Sequence, residues 1–129
     1  MHIHDKRMNR PTKQEQFVAL IEGAVFDLVQ KYCTERPIPE GSHKDLFDIT
    51  KPELAEWLKK NYKVHKLPFV RNKPSVDDGF YIIREAASKF RLYYQEYRVH
   101  FDECVLNNAD EAYSKFAEYL LKGWGLTGD

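Results

Sequence analysis

Three residues of the C-terminal half, His100, Asp102 and Cys104, combine side-chain types that can ligate a metal or take part in nucleophilic catalysis. In a regular strand, their spacing of two residues places all three side chains on one face. A reactive cysteine needs an electropositive setting, and the acidic neighbours Asp102 and Glu103 disfavour the thiolate. We therefore interpret this row as a solvated strand face and predict neither a metal site nor a catalytic site in it.

Other patterns that could carry chemistry are equally weak. His2 and His4 are two residues apart in a polar N-terminal stretch, whereas a structural metal site needs about four ordered ligands. Adjacent carboxylates such as Asp77 and Asp78 point apart in a loop and do not form an acid–base pair. The sequence has no glycine-rich phosphate loop and no serine in a nucleophile elbow. We predict no enzymatic activity, no metal and no cofactor.

A basic segment, residues 59–73, suggests a second class of function. Cationic side chains interleaved with aromatic ones are typical of sites that contact phosphates and bases. The segment and its flank contain Lys59, Lys60, Lys63, His65, Lys66, Arg71 and Lys73, with Trp57, Tyr62 and Phe69 among them. The chain carries no net charge, however, and Trp57 lies on an apolar helix stripe. Nucleic-acid binding through this segment remains the alternative hypothesis.

Two helices are predicted in the N-terminal half. A capping box begins at Thr12, with Glu three residues later, and the apolar residues that follow at helical spacing predict a helix over 13–33. A second capping box at Thr50 opens a predicted helix over 51–61. Together they form a helical part, 12–62.

The C-terminal half predicts a β-meander followed by a helix. Aromatic and β-branched residues from Gly79 predict a first strand, and alternating apolar and polar residues predict two more up to residue 106. Tyr97 and Arg98 stand where the second turn is expected, although neither is the Gly or Asn that tight turns prefer. A strand that runs on and bends at these residues is the alternative. Asn108 then caps a predicted helix with Gly123 as its C′ residue.

These elements predict an α+β fold, in which N-terminal helices and a C-terminal helix pack on a three-stranded antiparallel β-meander. A chain of 129 residues fits one domain. Its predicted parts are a flexible arm (1–11), the helical part (12–62), the meander (79–106) and the last helix (109–122).

Composition predicts a cytoplasmic protein. The sequence is 43% hydrophobic, but no apolar run approaches the roughly 20 residues that span a bilayer. The mixed-charge N-terminus resembles neither a signal peptide nor a transit peptide. Two cysteines make no disulfide framework, and we predict that both are reduced thiols.

The charge is unevenly distributed along the chain. Up to Lys73 there are 14 Lys and Arg against 10 Asp and Glu, whereas from Pro74 onward there are 6 against 10. If the apolar residues of the middle strand face the core, Tyr93 and its neighbours of the same parity face away from it. Tyr and Arg side chains exposed on such a face are the types that anchor protein interfaces.

The C-terminal half also resembles a known group of proteins. The runs Gly79–Glu85, Phe90–Glu96, Phe101–Glu103 and Asn108–Ala112 resemble small bacterial immunity proteins of contact-dependent growth inhibition and other polymorphic toxin systems. The resemblance covers about the last 50 residues and lies in pattern, without a diagnostic motif. It implies an antidote that blocks the catalytic domain of a cognate toxin, often a nuclease with a basic cleft.

The acidic part of the chain is the expected match for such a cleft, because charge complementarity speeds association. The predicted partner-binding residues are Asp77, Asp78, Glu85, Tyr93, Glu96, Tyr97, Arg98, Asp102 and Glu103.

Overall fold

The computed structural model describes residues 10–126 and confirms the α+β class. The helices are α1 (Lys13–Glu22), α2 (Val25–Tyr32), α3 (Lys51–Asn61) and α4 (Ala109–Gly123). The strands are β1 (Val70–Arg71), β2 (Gly79–Ala86), β3 (Lys89–Glu96) and β4 (Val99–Leu106). Short 3₁₀ turns occupy Ser42–Asp45 and Val64–Lys66. The predicted arm falls largely outside the described residues, and so do His2 and His4.

The sheet is mixed, with the strand order β1-β2-β3-β4. β2, β3 and β4 form the predicted antiparallel meander. The prediction of three strands was incomplete, because β1 pairs in parallel with β2 through Val70 opposite Phe80 and Arg71 opposite Tyr81. A two-residue strand is too short for an alternation pattern to reveal it.

Three helices, α1, α3 and α4, begin where the sequence predicts. Thr12 and Thr50 both close capping boxes, and the Asn108 side chain accepts the Glu111 backbone N–H. The prediction of one helix over 13–33 was wrong. Gly23 takes φ 69°, a left-handed conformation that ends α1, and the chain enters α2 two residues later.

α4 ends one residue later than predicted, and its C′ residue lies two residues later. Gly123 is helical, and Gly125 at φ 72° takes the left-handed C′ position instead. The N–H of Leu126 donates to the Leu121 carbonyl at 2.7 Å, and the N–H of Gly125 donates to the Lys122 carbonyl at 2.9 Å. These two bonds form a Schellman motif, which satisfies carbonyls that the helix leaves open.

One hydrophobic core lies between the helices and a single face of the sheet. α4 packs on β3 and β4, and α3 packs on α4. The sheet contributes Phe80, Ile82, Phe90, Leu92 and Leu106 to this core. Phe17 of α1 stacks on Trp57 of α3 with ring centroids 5.4 Å apart, which joins the outer helices. Within residues 10–126, no helix combines the length and the apolar character needed to cross a membrane.

Candidate interaction surface

The second face of the sheet, which points away from the helices, is only partly open to solvent. Tyr81, Tyr93 and Gln95 project from this face. Tyr93 faces away from the core, as the strand alternation predicted, but all three side chains are buried, with exposed fractions of 0%, 3% and 4%. The cover comes from the loop between β1 and β2, which crosses this face.

Hydrogen bonds fasten that loop to the sheet. The Tyr81 hydroxyl donates to the Asp77 carbonyl at 2.5 Å and lies 2.6 Å from the Ser75 hydroxyl. Gln95 Nε2 donates to the carbonyls of Ser75 at 2.8 Å and of Asp77 at 3.0 Å. The buried polar groups are thereby paired, as burial requires.

Three parallel rings cross this face from β2 to β4. Tyr81 stacks on Tyr93 with centroids 4.8 Å apart, and Tyr93 stacks on His100 with centroids 3.8 Å apart. Burial is the largest cause of the raised pKa of the Tyr93 hydroxyl. Tyr93 is thus a supporting residue beneath the surface and offers little contact area to a partner.

His100 uses both of its ring nitrogens inside the fold. Nδ1 lies 3.0 Å from Glu103 Oε1, and Nε2 lies 2.9 Å from Gln95 Oε1. The carbonyls of Ser75 and Asp77 fix the orientation of the Gln95 amide, because they require its NH₂ group on their side. A general base needs a ring nitrogen aimed at substrate. His100 instead connects β4 to β3.

An ionic network continues from His100 along the same face. Arg91 of β3 pairs with Glu103 of β4 and, at 2.9 Å, with Glu85 of β2. The pKa of Glu103 is lowered, first by its hydrogen bond to His100 and then by its hydrogen bond to Arg91. Glu85 and Glu103 were predicted to bind a partner, and the structure engages both in internal ion pairs.

The predicted common face of His100, Asp102 and Cys104 does not exist. His100 lies opposite Gln95, and Cys104 lies opposite Leu92. Those β3 residues are three positions apart and face opposite sides of the sheet.

A β-bulge in β4 causes this change of face. Phe101 lies opposite Tyr94 and Cys104 opposite Leu92, so Asp102 and Glu103 together face the single residue Tyr93. Asp102 takes φ 52°, the left-handed conformation of such bulges. Among residues 10–126, no group of three or more metal-ligating side chains is close enough to hold a metal ion.

The turn between β3 and β4 lies at Tyr97 and Arg98, as the sequence predicts. Both residues have positive φ, 51° and 66°, which is the signature of a type I′ turn. The Tyr97 backbone N–H donates to Asp78 Oδ1 at 2.9 Å, so the loop before β2 also holds the turn. The Tyr97 side chain is 84% exposed.

Exposed apolar side chains continue from this turn along β4, the edge strand of the sheet. Val99 is 52% exposed and Phe101 is 47% exposed. Phe101 also lines an open groove of about 640 Å³ between the sheet and α4, together with Tyr94 and Tyr119. The strand alternation predicted from the sequence did not reveal this groove.

Three carboxylates border the apolar row, while Lys115 and Lys122 line the α4 side of the groove. Asp78 and Glu96 lie beside the turn, and Asp102 lies on the rim of the groove; all three are exposed. Asp77 is also exposed and pairs with Arg71 at 3.6 Å. We call Tyr97, Arg98, Val99 and Phe101, with Asp78, Glu96 and Asp102, the hairpin surface.

The fold divides the basic segment, and only a part of it, Lys63 and His65, lines a common groove. Lys59 pairs with Asp110 at 2.9 Å, and Arg71 pairs with Asp77. Trp57 stacks between the helices, so it is not available to stack on a base.

No family model, curated protein or solved structure matches this chain.

Proposed function

We propose that this protein is a bacterial immunity protein that binds and occludes a cognate toxin domain, a nuclease with a basic cleft, in the cytoplasm and without catalysis. The observation that carries the proposal is the row of exposed apolar side chains on the hairpin surface, bordered by carboxylates. The resemblance of the C-terminal half to immunity proteins supports the same reading.

The apolar row is suited to anchor a partner. Burying apolar surface contributes about 25 cal/mol per Å² removed from water. Aromatic and Arg side chains at the centre of an interface contribute most of its affinity. Tyr97, Arg98 and Phe101 are of these types and stand close together at one end of the sheet.

The carboxylates determine what kind of partner fits. Asp78, Glu96 and Asp102 are exposed around the apolar row, while Arg98 is the cation within it. This surface is complementary to a basic cleft, and such complementarity raises association rates in a salt-dependent way. Occlusion follows if the rigid turn enters the cleft where the substrate of the nuclease would lie.

The set of partner-binding residues is therefore revised. Asp78, Glu96, Tyr97, Arg98 and Asp102 remain in it, and Val99 and Phe101 join it. Tyr93 is assigned a supporting role, and Glu85 and Glu103 are assigned to the internal ionic network. Asp77 pairs with Arg71 outside the hairpin surface and leaves the set.

The test is co-expression with the product of the gene immediately upstream, which the proposal expects to be the toxin. We expect the two products to co-purify and the protein to restore growth. Phe101→Ser should weaken binding by about tenfold or more, since hot-spot truncation costs 2 kcal/mol or more. The matched control is Phe26→Ser, because Phe26 is 61% exposed on the separate helix α2.

Two results would count against the proposal. One is the failure of the upstream product to bind the wild-type protein. The other is full protection by Phe101→Ser together with Tyr97→Ser in a variant whose folding is unchanged.

A further inference from the structure

A second groove lies at the other end of the sheet, away from the hairpin surface. The β2–β3 turn and the β3–β4 turn stand at opposite ends of β3, and this groove adjoins the first of them. Its volume is about 480 Å³. Three cationic or titratable side chains line it, Lys63, His65 and Arg84, and its apolar wall includes Phe90 and Tyr113.

Arg84 is held in place but is not neutralised. Its Nη2 donates to the Ala87 carbonyl at 2.8 Å, and its guanidinium lies 6.0 Å from the Phe90 ring centroid. No carboxylate within residues 10–126 forms an ion pair with Arg84, Lys63 or His65. Arg91 on the other face, by contrast, is paired with two carboxylates.

The carboxylates at the start of α4 do not supply the missing partner. Asp110 pairs with Lys59, and the Glu111 carboxylate accepts the Asn107 backbone N–H at 2.9 Å. Lys66 and Lys89, which adjoin the lining residues His65 and Ser88 in the sequence, are also exposed. The groove thus has a cationic rim and an apolar wall.

We propose that this groove binds a phosphate group carried by a nucleoside or by a single-stranded oligonucleotide. A guanidinium held by its neighbours presents its remaining N–H groups to phosphate oxygens in a fixed geometry. Lys63 adds a point charge, and the apolar wall accommodates a sugar or a base. The site is separate from the hairpin surface, so its test does not depend on the function proposed above.

The experiment uses the full chain and three probes: inorganic phosphate, adenosine monophosphate and a short fluorescent oligothymidylate. Binding is measured at about 50 mM salt, where phosphate contacts are strong. The test variant is Arg84→Gln with Lys63→Gln. The control is Lys115→Gln with Lys122→Gln, which removes the same charge from the far part of α4. We expect the test variant to lose about tenfold or more in affinity and the control to stay within about twofold.

The probes distinguish the source of the phosphate. Binding of the oligonucleotide alone identifies a nucleic-acid backbone, and binding of adenosine monophosphate identifies a nucleotide site. The proposal is overturned if no probe binds at about 1 mM, or if the test variant and the control lose affinity equally.

Amide chemical shifts of the wild-type protein give a readout that does not depend on the folding of a variant. When a probe is added, the amide resonances of His65, Ala87 and Ser88 should shift. Shifts confined to the hairpin surface would overturn the assignment.

Discussion

The His100 ring lies flat on the Tyr93 ring, with centroids 3.8 Å apart and planes 13° from parallel. This contact crosses from the edge strand to the central strand directly beside the β-bulge at Asp102. His100 also bonds to Gln95 and Glu103, and Gln95 in turn donates to the carbonyls of Ser75 and Asp77 in the covering loop. The hairpin surface therefore stands on a rigid support.

Removing that support should lower the stability of the protein. Tyr93→Ala deletes a buried ring from the stack, and we expect the free energy of unfolding to fall by about 3 kcal/mol or more. Tyr97→Ala deletes an exposed ring of the same type and should change it by less than about 0.5 kcal/mol. Urea denaturation of both variants measures the difference. Equal losses in the two variants would mean that the stack contributes nothing specific.

The tight turn should be more stable with a different sequence. Tyr97 and Arg98 both occupy the left-handed region, which costs about 1–2 kcal/mol per residue for ordinary side chains. The double variant Tyr97→Asn with Arg98→Gly has the sequence that type I′ turns prefer, and we expect it to gain about 1 kcal/mol in unfolding free energy.

The same variant should bind the proposed toxin partner less tightly, because it loses two side chains of the hairpin surface. A protein that retains a costly turn sequence is expected to use it for function. A double variant that is no more stable than the wild type in urea would contradict this account of the turn.

Features determined by neighbouring residues could be predicted from the sequence. Thr12, Thr50 and Asn108 cap their helices through atoms three residues away, so the sequence alone reveals them. The strand alternation of β3 is equally local. The burial of Tyr93 was not predictable, because its cover comes from a loop that pairs with Gln95 across 20 residues of chain.

The β-bulge at Asp102 and the helix break at Gly23 were not predicted, for related reasons. Pairing with β3 determines whether Asp102 continues the strand or forms a bulge, and no residue within β4 indicates which of the two occurs. Gly23 is tolerated within a helix at a cost of about 1 kcal/mol, so a glycine alone does not distinguish a break from a continuous helix.

Two glycines at the end of α4 offer a matched comparison. Gly125 has φ 72°, and a Cβ there would lie 3.3 Å from Lys44 Cε. Gly123 is helical with open space around it. Gly125→Ala should lower the unfolding free energy by about 1 kcal/mol, whereas Gly123→Ala should raise it by about 0.5 kcal/mol. Thermal unfolding followed by circular dichroism checks both signs, and the opposite pair of signs would restore Gly123 as the C′ residue.

The Glu15 carboxylate should make stability depend on pH in the acid range. The Tyr32 hydroxyl donates to it at 2.7 Å, and the Thr12 N–H and Lys31 Nζ each lie 3.0 Å from it. Together, with the Tyr32 hydrogen bond as the largest cause, they lower the pKa of Glu15 from 4.5 to about 2. A carboxyl whose pKa is lower in the folded state stabilises the fold above its unfolded pKa and loses that effect as the pH falls.

Comparison with Glu15→Gln isolates this effect, because Gln preserves the capping box. The wild type should exceed the variant by about 1 kcal/mol at pH 7, a figure reduced for solvent screening. The difference should shrink from about pH 5 and vanish near pH 2. Tyr32→Phe removes the largest cause, so NMR titration should show the pKa of Glu15 moving back towards 4.5. If the difference in unfolding free energy between the wild type and Glu15→Gln stays constant from pH 7 to about pH 2, the carboxylate charge is not the source of the stability.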